Sequence, residues 1–222
     1  ISSGRAMGRG VYALQGVLYD ATGDRVVEVA DLLRAQGLPG RHHWQNAAAA
    51  YAAARALGVS MEDAAAGLIT FPGLAHRMET VAHIGKVRFV NDSKATNADA
   101  ARQAMSTYPK FYWIAGGRPK AGGIDSLPDL FPRVAKAYLV GEAADDFAKT
   151  LEGRAPHVHA GTIERAVEMA YADAQGQKGE SVVLLSPACA SFDQFPDFEV
   201  RGEAFRSAVM ALTQPAKREA TA

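Results

Sequence analysis

The sequence predicts an α/β protein whose larger part is a mostly parallel sheet covered by helices on both faces. Three observations carry this. From about residue 74 onward, short apolar runs such as Phe111–Ala115 and Ser181–Leu185 alternate with helical stretches, the rhythm of βαβ units. Before that point a β-like opening is followed by an alanine-rich helical stretch. Between the two parts stands Phe71-Pro72-Gly73, where Pro stops a helix and Gly lets the chain turn. Parallel crossovers are right-handed almost without exception. The expectation is therefore a doubly wound, Rossmann-like domain over residues 74–213 within a second domain of 74–222, and a first domain of 1–72.

Taken in order, Val11–Leu14 and Val17–Tyr19 flank Gln15-Gly16, and Arg25–Val29 follows the turn residues Asp20–Asp24; these read as strands. Residues 37–40 form a loop. Gln45–Leu57 has the strongest helix propensity, with Gly58 placed to cap its end. Ser60–Asp63 reads as a capping box for a helix to Ile69. Met78–Ile84 and Val87–Val90 form a hairpin around Gly85-Lys86, and Asn97–Thr107 is helical. Phe111–Ala115, Ala137–Val140, Val158 and Ser181–Leu185 mark further strands. Helices are expected over Leu127–Ala135, Glu142–Leu151, Thr162–Ala174 and Arg201–Leu212, and the polar tail 214–222 is expected to fray.

Composition excludes several classes. At 222 residues with 48% hydrophobic and 22% charged residues, the chain is a normal globular one. Lys plus Arg and Asp plus Glu are 24 each, so no bulk charge attracts nucleic acid or an acidic membrane. No apolar run approaches the roughly 20 residues of a membrane helix. The single cysteine, Cys189, can form no internal disulfide and fits a cytoplasmic protein. The opening at Ile1, in what reads as mid-domain, predicts a fragment.

In an open parallel sheet, ligands bind beyond the carboxyl ends of the strands. Three segments there are rich in small, charged and hydroxyl residues: Asn91–Asn97, Gly116–Lys120 and Ser186–Asp193. Each also has a plain reading. Asn91–Asn97 reads equally as a helix cap, and Gly116-Gly117 as a tight turn, being neither a GxxxxGK[ST] loop nor a GxGxxG fingerprint. Lys120 gains weight from its place on a Gly-rich loop, where a flexible ammonium reaches an anion. Arg77, at the domain junction, suits a phosphate clamp. Cys189 has no histidine in a recognisable signature, which favours a buried structural thiol over a nucleophile. His42 and His43 lack a third ligand spaced for zinc, so no metal site is assigned.

The runs Phe71–Glu79, Val90–Asn97 and Leu184–Phe195, the last continuing to Gly202, resemble the Mur ligases, specifically the branch that adds D-glutamate, over about residues 10–212. The resemblance implies that 1–72 is the end of a central ATP-binding domain and 74–222 a C-terminal, D-glutamate-binding domain. It implies a cytoplasmic, monomeric, ATP- and Mg²⁺-dependent ligase of peptidoglycan synthesis. Such a ligase phosphorylates the carboxylate of UDP-N-acetylmuramoyl-L-alanine and lets the amine of D-glutamate attack the acyl phosphate. Residue by residue, Asn46 matches a nucleotide-holding asparagine, Arg77 an arginine that reaches the ATP phosphates, and Asp92 and Lys94 positions on the ribose or phosphate side. Thr96, Lys120, Ser191 and Phe198 match positions around D-glutamate. A dicarboxylate needs a cation and neutral donors, which Lys120 and the Thr96 and Ser191 hydroxyls supply.

The departures are specific. His43 stands where the family has the first asparagine of His-Asn-x-x-Asn, Ala75 replaces a proline, and Gly122-Gly123 lengthen the Lys120 loop. No phosphate loop, magnesium-binding glutamate or carbamylated lysine can be matched, so Mg²⁺ ligands are expected upstream and this stretch alone is expected to be inactive. Two rivals stay open: a folylpolyglutamate synthetase-like ligase, and a non-catalytic module that binds an amino acid or nucleotide. A plain dinucleotide-binding domain would need a glycine fingerprint after a strand.

Overall fold

The computed structural model describes residues 1–213, and the chain divides into two compact units, Ile1–Leu74 and Ala75–Ala222. The fraying expected of residues 214–222 lies outside the described residues.

In the first unit β1 (Gly10–Leu14), β2 (Val17–Ala21) and β3 (Val27–Asp31) form an antiparallel meander. Helices α1 (Arg41–Ala56) and α2 (Met61–Thr70) follow, and Ala13, Leu18, Ala48 and Tyr51 fill the core. Helix α1 starts four residues before the expected Gln45, because the chain breaks direction at Gly40, whose φ is 87°. Ser60 caps α2 as expected, its hydroxyl accepting from the Asp63 amide at 3.0 Å.

The second unit holds β4 (Glu79–Ile84), β5 (Val87–Asn91), α3 (Ala98–Thr107), β6 (Phe111–Gly116), β7 (Val134–Val140), α4 (Ala144–Leu151), β8 (His157–Gly161), α5 (Ile163–Gln175), β9 (Ser181–Leu185) and α6 (Phe198–Ala211). The sheet order is β4-β5-β9-β6-β7-β8. Only the β4–β5 hairpin is antiparallel; the other pairings are parallel. Side chains alternate between two cores, as period two requires. Val90, Trp113 and Leu184 pack under α3 and α4, whereas Phe89, Ile114 and Val183 pack under α5 and α6. This is the expected α/β sheet, mostly parallel and covered on both faces. No helix among the described residues is long and apolar enough to cross a membrane.

Three expectations are corrected. The helix expected over Leu127–Ala135 does not form: the chain makes turns and one 3-10 turn at Phe131–Arg133, and β7 already begins at Val134. Pro128 and Pro132 lack the amide hydrogens a helix needs. Leu127, Leu130 and Phe131 instead bury one by one in the α3-side core. Helix α6 begins at Phe198 rather than Arg201, since the Asp197 carboxylate caps it by accepting from the Val200 amide at 2.7 Å. Helix α4 begins at Ala144 rather than Glu142, whose amide donates to the Asp193 carboxylate at 3.0 Å.

Candidate functional site

The three polar segments follow β5, β9 and β6, which are neighbours in the sheet. After β5 and β6 the chain runs on the α3 side; after β9, between them, Ala188 and Cys189 first pack on that side before the chain reaches α6 on the other. In open α/β sheets, opposite departures from adjacent strands are where a ligand crevice forms.

Backbone bonds stitch these segments into one rim. The Asp92 amide donates to the Leu185 carbonyl at 2.8 Å, and the Gly116 amide to that of Pro187 at 2.9 Å. Arg118 and Ala190 exchange amide bonds of 2.9 and 3.1 Å, which lays the Lys120 loop beside the Ser191 loop. The Ser93 hydroxyl donates to the Phe198 carbonyl at 2.8 Å, joining the β5 segment to the start of α6. The Lys94 ammonium lies 3.8 Å from the centre of the Phe198 ring, a cation–π contact.

Within that frame Lys94 and Phe198 touch directly. Thr96 is half-buried on the same segment, its amide donating to the Lys94 carbonyl at 2.8 Å. Lys120 is exposed at the start of the Gly122-Gly123 turn, and its carbonyl accepts from the Gly123 amide at 3.0 Å. Ser191 is buried, and its carbonyl accepts from the amides of Gln194 and Phe195. Asn46 lies exposed on α1 in the first unit.

Asp92 and Arg77 form a second group. Arg77 is exposed, but Asp92 is buried and both its oxygens are engaged. Oδ1 accepts from the Met78 amide at 3.2 Å and Oδ2 from the Ser186 hydroxyl at 3.0 Å. Burial raises its pKa to about 7, against the opposing pull of those bonds and of the Arg77 charge. The carboxylate expected on the ribose or phosphate side of a nucleotide also ties the segment 76–78 to the end of β5 and to Ser186 just past β9. Lys94 remains outward.

Three residues were not singled out by the sequence reading, although Asn91 and Ser186 open two of its polar segments. Arg201 is 2% exposed and donates to Ser93 Oγ at 3.0 Å, the Ser93 carbonyl at 2.8 Å and the Cys189 carbonyl at 3.0 Å. Burial brings its pKa down to about 10. Its signal was its place on the apolar stripe Arg201-Phe205-Val209, one helical turn apart each. Asn91 and Ser186 are buried strand-end polar residues with no sequence signal beyond their position. Cys189 fits the structural reading: it is fully buried, and burial pushes the thiol up to about 12. Among the described residues no group of three or more His, Cys, Asp or Glu is placed to hold a metal.

The model of the family described as Mur ligase, glutamate ligase domain, matches residues 76–189. A UDP-N-acetylmuramoylalanine–D-glutamate ligase of Caulobacter vibrioides is 75% identical over 222 residues, all of this chain and 47% of that protein. One from Rhizobium johnstonii is 56% identical over 213 residues, 96% of this chain and 45% of that protein. The chain thus spans about half the length of the curated relatives it matches. The solved structure of a UDP-N-acetylmuramate–alanine ligase from Thermotoga maritima has a TM-score of 0.61 at 13% identity, covering 89% of this chain and 44% of that one; it speaks to the fold alone.

Proposed function

The chain belongs to the Mur ligase family, and from that premise we propose that it is the D-glutamate-presenting part of a cytoplasmic, ATP-dependent ligase that extends UDP-N-acetylmuramoyl-L-alanine in peptidoglycan synthesis. The observation that carries the proposal is the joining of three polar segments at the ends of adjacent strands β5, β9 and β6. The likeness of the whole chain to a ligase of that specificity supports it.

In this reading the carboxylate of the muramoyl-alanine takes the γ-phosphoryl of ATP, and ADP leaves. The amine of D-glutamate attacks the carbonyl carbon, and the tetrahedral intermediate expels phosphate while the nitrogen gives up a proton. Residues of the crevice hold and aim the dicarboxylate: Lys120 meets a carboxylate, Thr96 and Ser191 donate, and the Phe198 ring supports the carbon chain. A fixed amine near the acyl carbon gains the advantage of a unimolecular reaction, and closure over the acyl phosphate keeps water out. Arg77 and Lys94 face phosphate oxygens as it forms and leaves. Asn46 adds a contact to the nucleotide from the first unit, which we read as the end of the central ATP-binding domain.

Mg²⁺ would supply charge neutralisation on the transferred phosphate. The described residues offer no cluster for it, so no step here runs through it. The 222 residues also contain no GxxxxGK[ST] loop, so we expect no ligation from this stretch by itself.

The test is a chimera that joins this chain to the upstream half of the Caulobacter vibrioides relative, assayed for phosphate release and amide formation. D-Glutamate is expected as the accepted amine. A chimera that ignores D-glutamate and uses another amino acid overturns the proposal.

A further inference from the structure

At the carboxyl end of β5 lies a fully buried amide, Asn91. Its orientation is forced by two backbone groups whose roles cannot change. The Ser93 amide donates to Oδ1 at 3.2 Å, and the Gly202 carbonyl accepts from Nδ2 at 3.1 Å. The second hydrogen of the Asn91 amino group therefore faces His76 Nδ1 at 3.0 Å, with the Glu79 carboxylate farther off at 3.4 Å. A donor on that side makes Nδ1 the acceptor, so the ring proton sits on Nε2, which lies 3.6 Å from the Glu203 carboxylate.

His76 matters because of what it flanks. Arg77 stands between His76 and Met78, whose φ angles are 61° and 50°. Left-handed backbone at non-glycine residues persists only where the surroundings impose it. The imposing contacts come mainly from the end of β5. The Lys94 amide donates to the His76 carbonyl at 3.0 Å, the Met78 amide donates to Asp92, and Asn91 holds the ring. Glu79 adds a bond from β4, accepting from the His76 amide at 3.0 Å. On its other side the ring meets Phe198 edge-on, with centroids 6.2 Å apart. It also lies flat against Gly202, where any Cβ would collide with Nδ1.

We infer that Asn91 is a positioning residue: through the His76 ring it locks the backbone that aims Arg77 to the same strand end and helix that carry Lys94, Thr96 and Phe198. This inference rests on the reading above, in which Arg77 and Lys94 serve phosphate and Thr96 and Phe198 lie toward D-glutamate. One buried amide then sets the geometry of both ends of the crevice, and removing it disturbs both together.

Asn91→Asp tests this in two ways. The carboxylate cannot donate to Nδ1, so His76 must place a proton there and donate instead. Nitrogen-15 NMR of this chain is expected to show an unprotonated Nδ1 in the wild type and a protonated one in the variant. In the chimeric ligase, Asn91→Asp is expected to raise KM for ATP and for D-glutamate together, each by about tenfold or more, since small misplacements of binding groups carry large rate costs. Gly202→Ala, which leaves the Asn91 side chain in place and displaces the ring directly, is expected to produce the same paired effect and serves if Asn91→Asp does not fold. An unchanged tautomer, or a rise confined to one substrate, overturns the inference. A wild-type chimera that ignores D-glutamate overturns the function reading instead, and the tautomer measurement still decides whether Asn91 governs His76.

Discussion

Arg201 and Ser93, 108 residues apart in the chain, are joined twice, through Nε to the Ser93 hydroxyl at 3.0 Å and through Nη2 to the Ser93 carbonyl at 2.8 Å. With Nη1 on the Cys189 carbonyl at 3.0 Å, one buried guanidinium spans the segments after β5 and β9. All three acceptors are neutral, so the charge is held by dipoles rather than by a paired carboxylate. Arg201→Met leaves two carbonyls and a hydroxyl without their donor, and each unmet buried group costs about 1–3 kcal/mol. Part of that cost is offset because a charge is no longer buried, so a loss of roughly 2–5 kcal/mol is expected in urea unfolding followed at Trp113 in a Trp44→Phe background. Arg201→Lys recovers little of it, because a lysine ammonium lacks the planar fork that reaches separated acceptors.

Asp92 predicts a pH dependence. Its folded pKa is raised by burial to about 7, well above the usual carboxylate value of about 3.9. The folded state therefore binds more protons than the unfolded state between these values, and stability contributed by this site falls as pH rises through that window. At about 1.4 kcal/mol per pKa unit, the change amounts to about 4 kcal/mol at most. Asp92→Asn mimics the protonated group, keeps an acceptor for the Met78 amide and removes the titration. Unfolding free energies from pH 4 to pH 8 are expected to show the wild type losing ground to the variant as pH rises. Parallel curves would place the titration elsewhere.

The proposed partition of the crevice is checked by kinetics in the chimeric ligase. Lys120→Ala is expected to raise KM for D-glutamate much more than for ATP, and Arg77→Ala to do the reverse. The two residues sit on different segments, one after β6 and one before β4, and each is exposed. Stability should change little in either variant, within about 0.5 kcal/mol. Exchanged effects would reverse the assignment.

Burial raises the Cys189 thiol to about 12, leaving very little thiolate at pH 8. Iodoacetamide is expected to label it only in denaturant, which mass spectrometry reads directly. Fast labelling of the folded chain would revive the nucleophile reading.

Much of the fold was legible because strands here are short apolar runs bounded by polar ends, and because Ser60, Thr162 and Gly58 signal helix limits chemically. Residues 127–135 misled because Leu127, Leu130 and Phe131 have helical spacing, while the prolines that forbid a helix stand beside them, Pro128 after Leu127 and Pro132 after Phe131. The three polar segments were legible too as the residues that follow strands. That their strands are neighbours was not: β9 enters between β5 and β6, a fact of topology that local pattern does not hold. Arg201 and Asn91 were missed for a related reason, since their partners are 108 and 111 residues away at Ser93 and Gly202.

Gly116-Gly117 read as a tight turn or a site, and the structure separates the two roles at Gly117. Its φ is +127°, and a Cβ there would collide with the Ala190 carbonyl and crowd Cys189 and Arg201 Nη1, each 3.1 Å away. The clash falls on the backbone of the rim, beside the paired bonds between Arg118 and Ala190. Gly117→Ala must therefore push apart the Lys120 and Ser191 segments as well as strain its own backbone. Gly122 is the control, because its φ is +82° but nothing lies within 4 Å of a Cβ there, so Gly122→Ala carries backbone strain alone, about 1 kcal/mol. Hydrogen exchange is expected to show lost protection at the Arg118 and Ala190 amides in Gly117→Ala and not in Gly122→Ala. Retained protection in Gly117→Ala would mean that the rim yields elsewhere and that close contact at this glycine does not set its geometry.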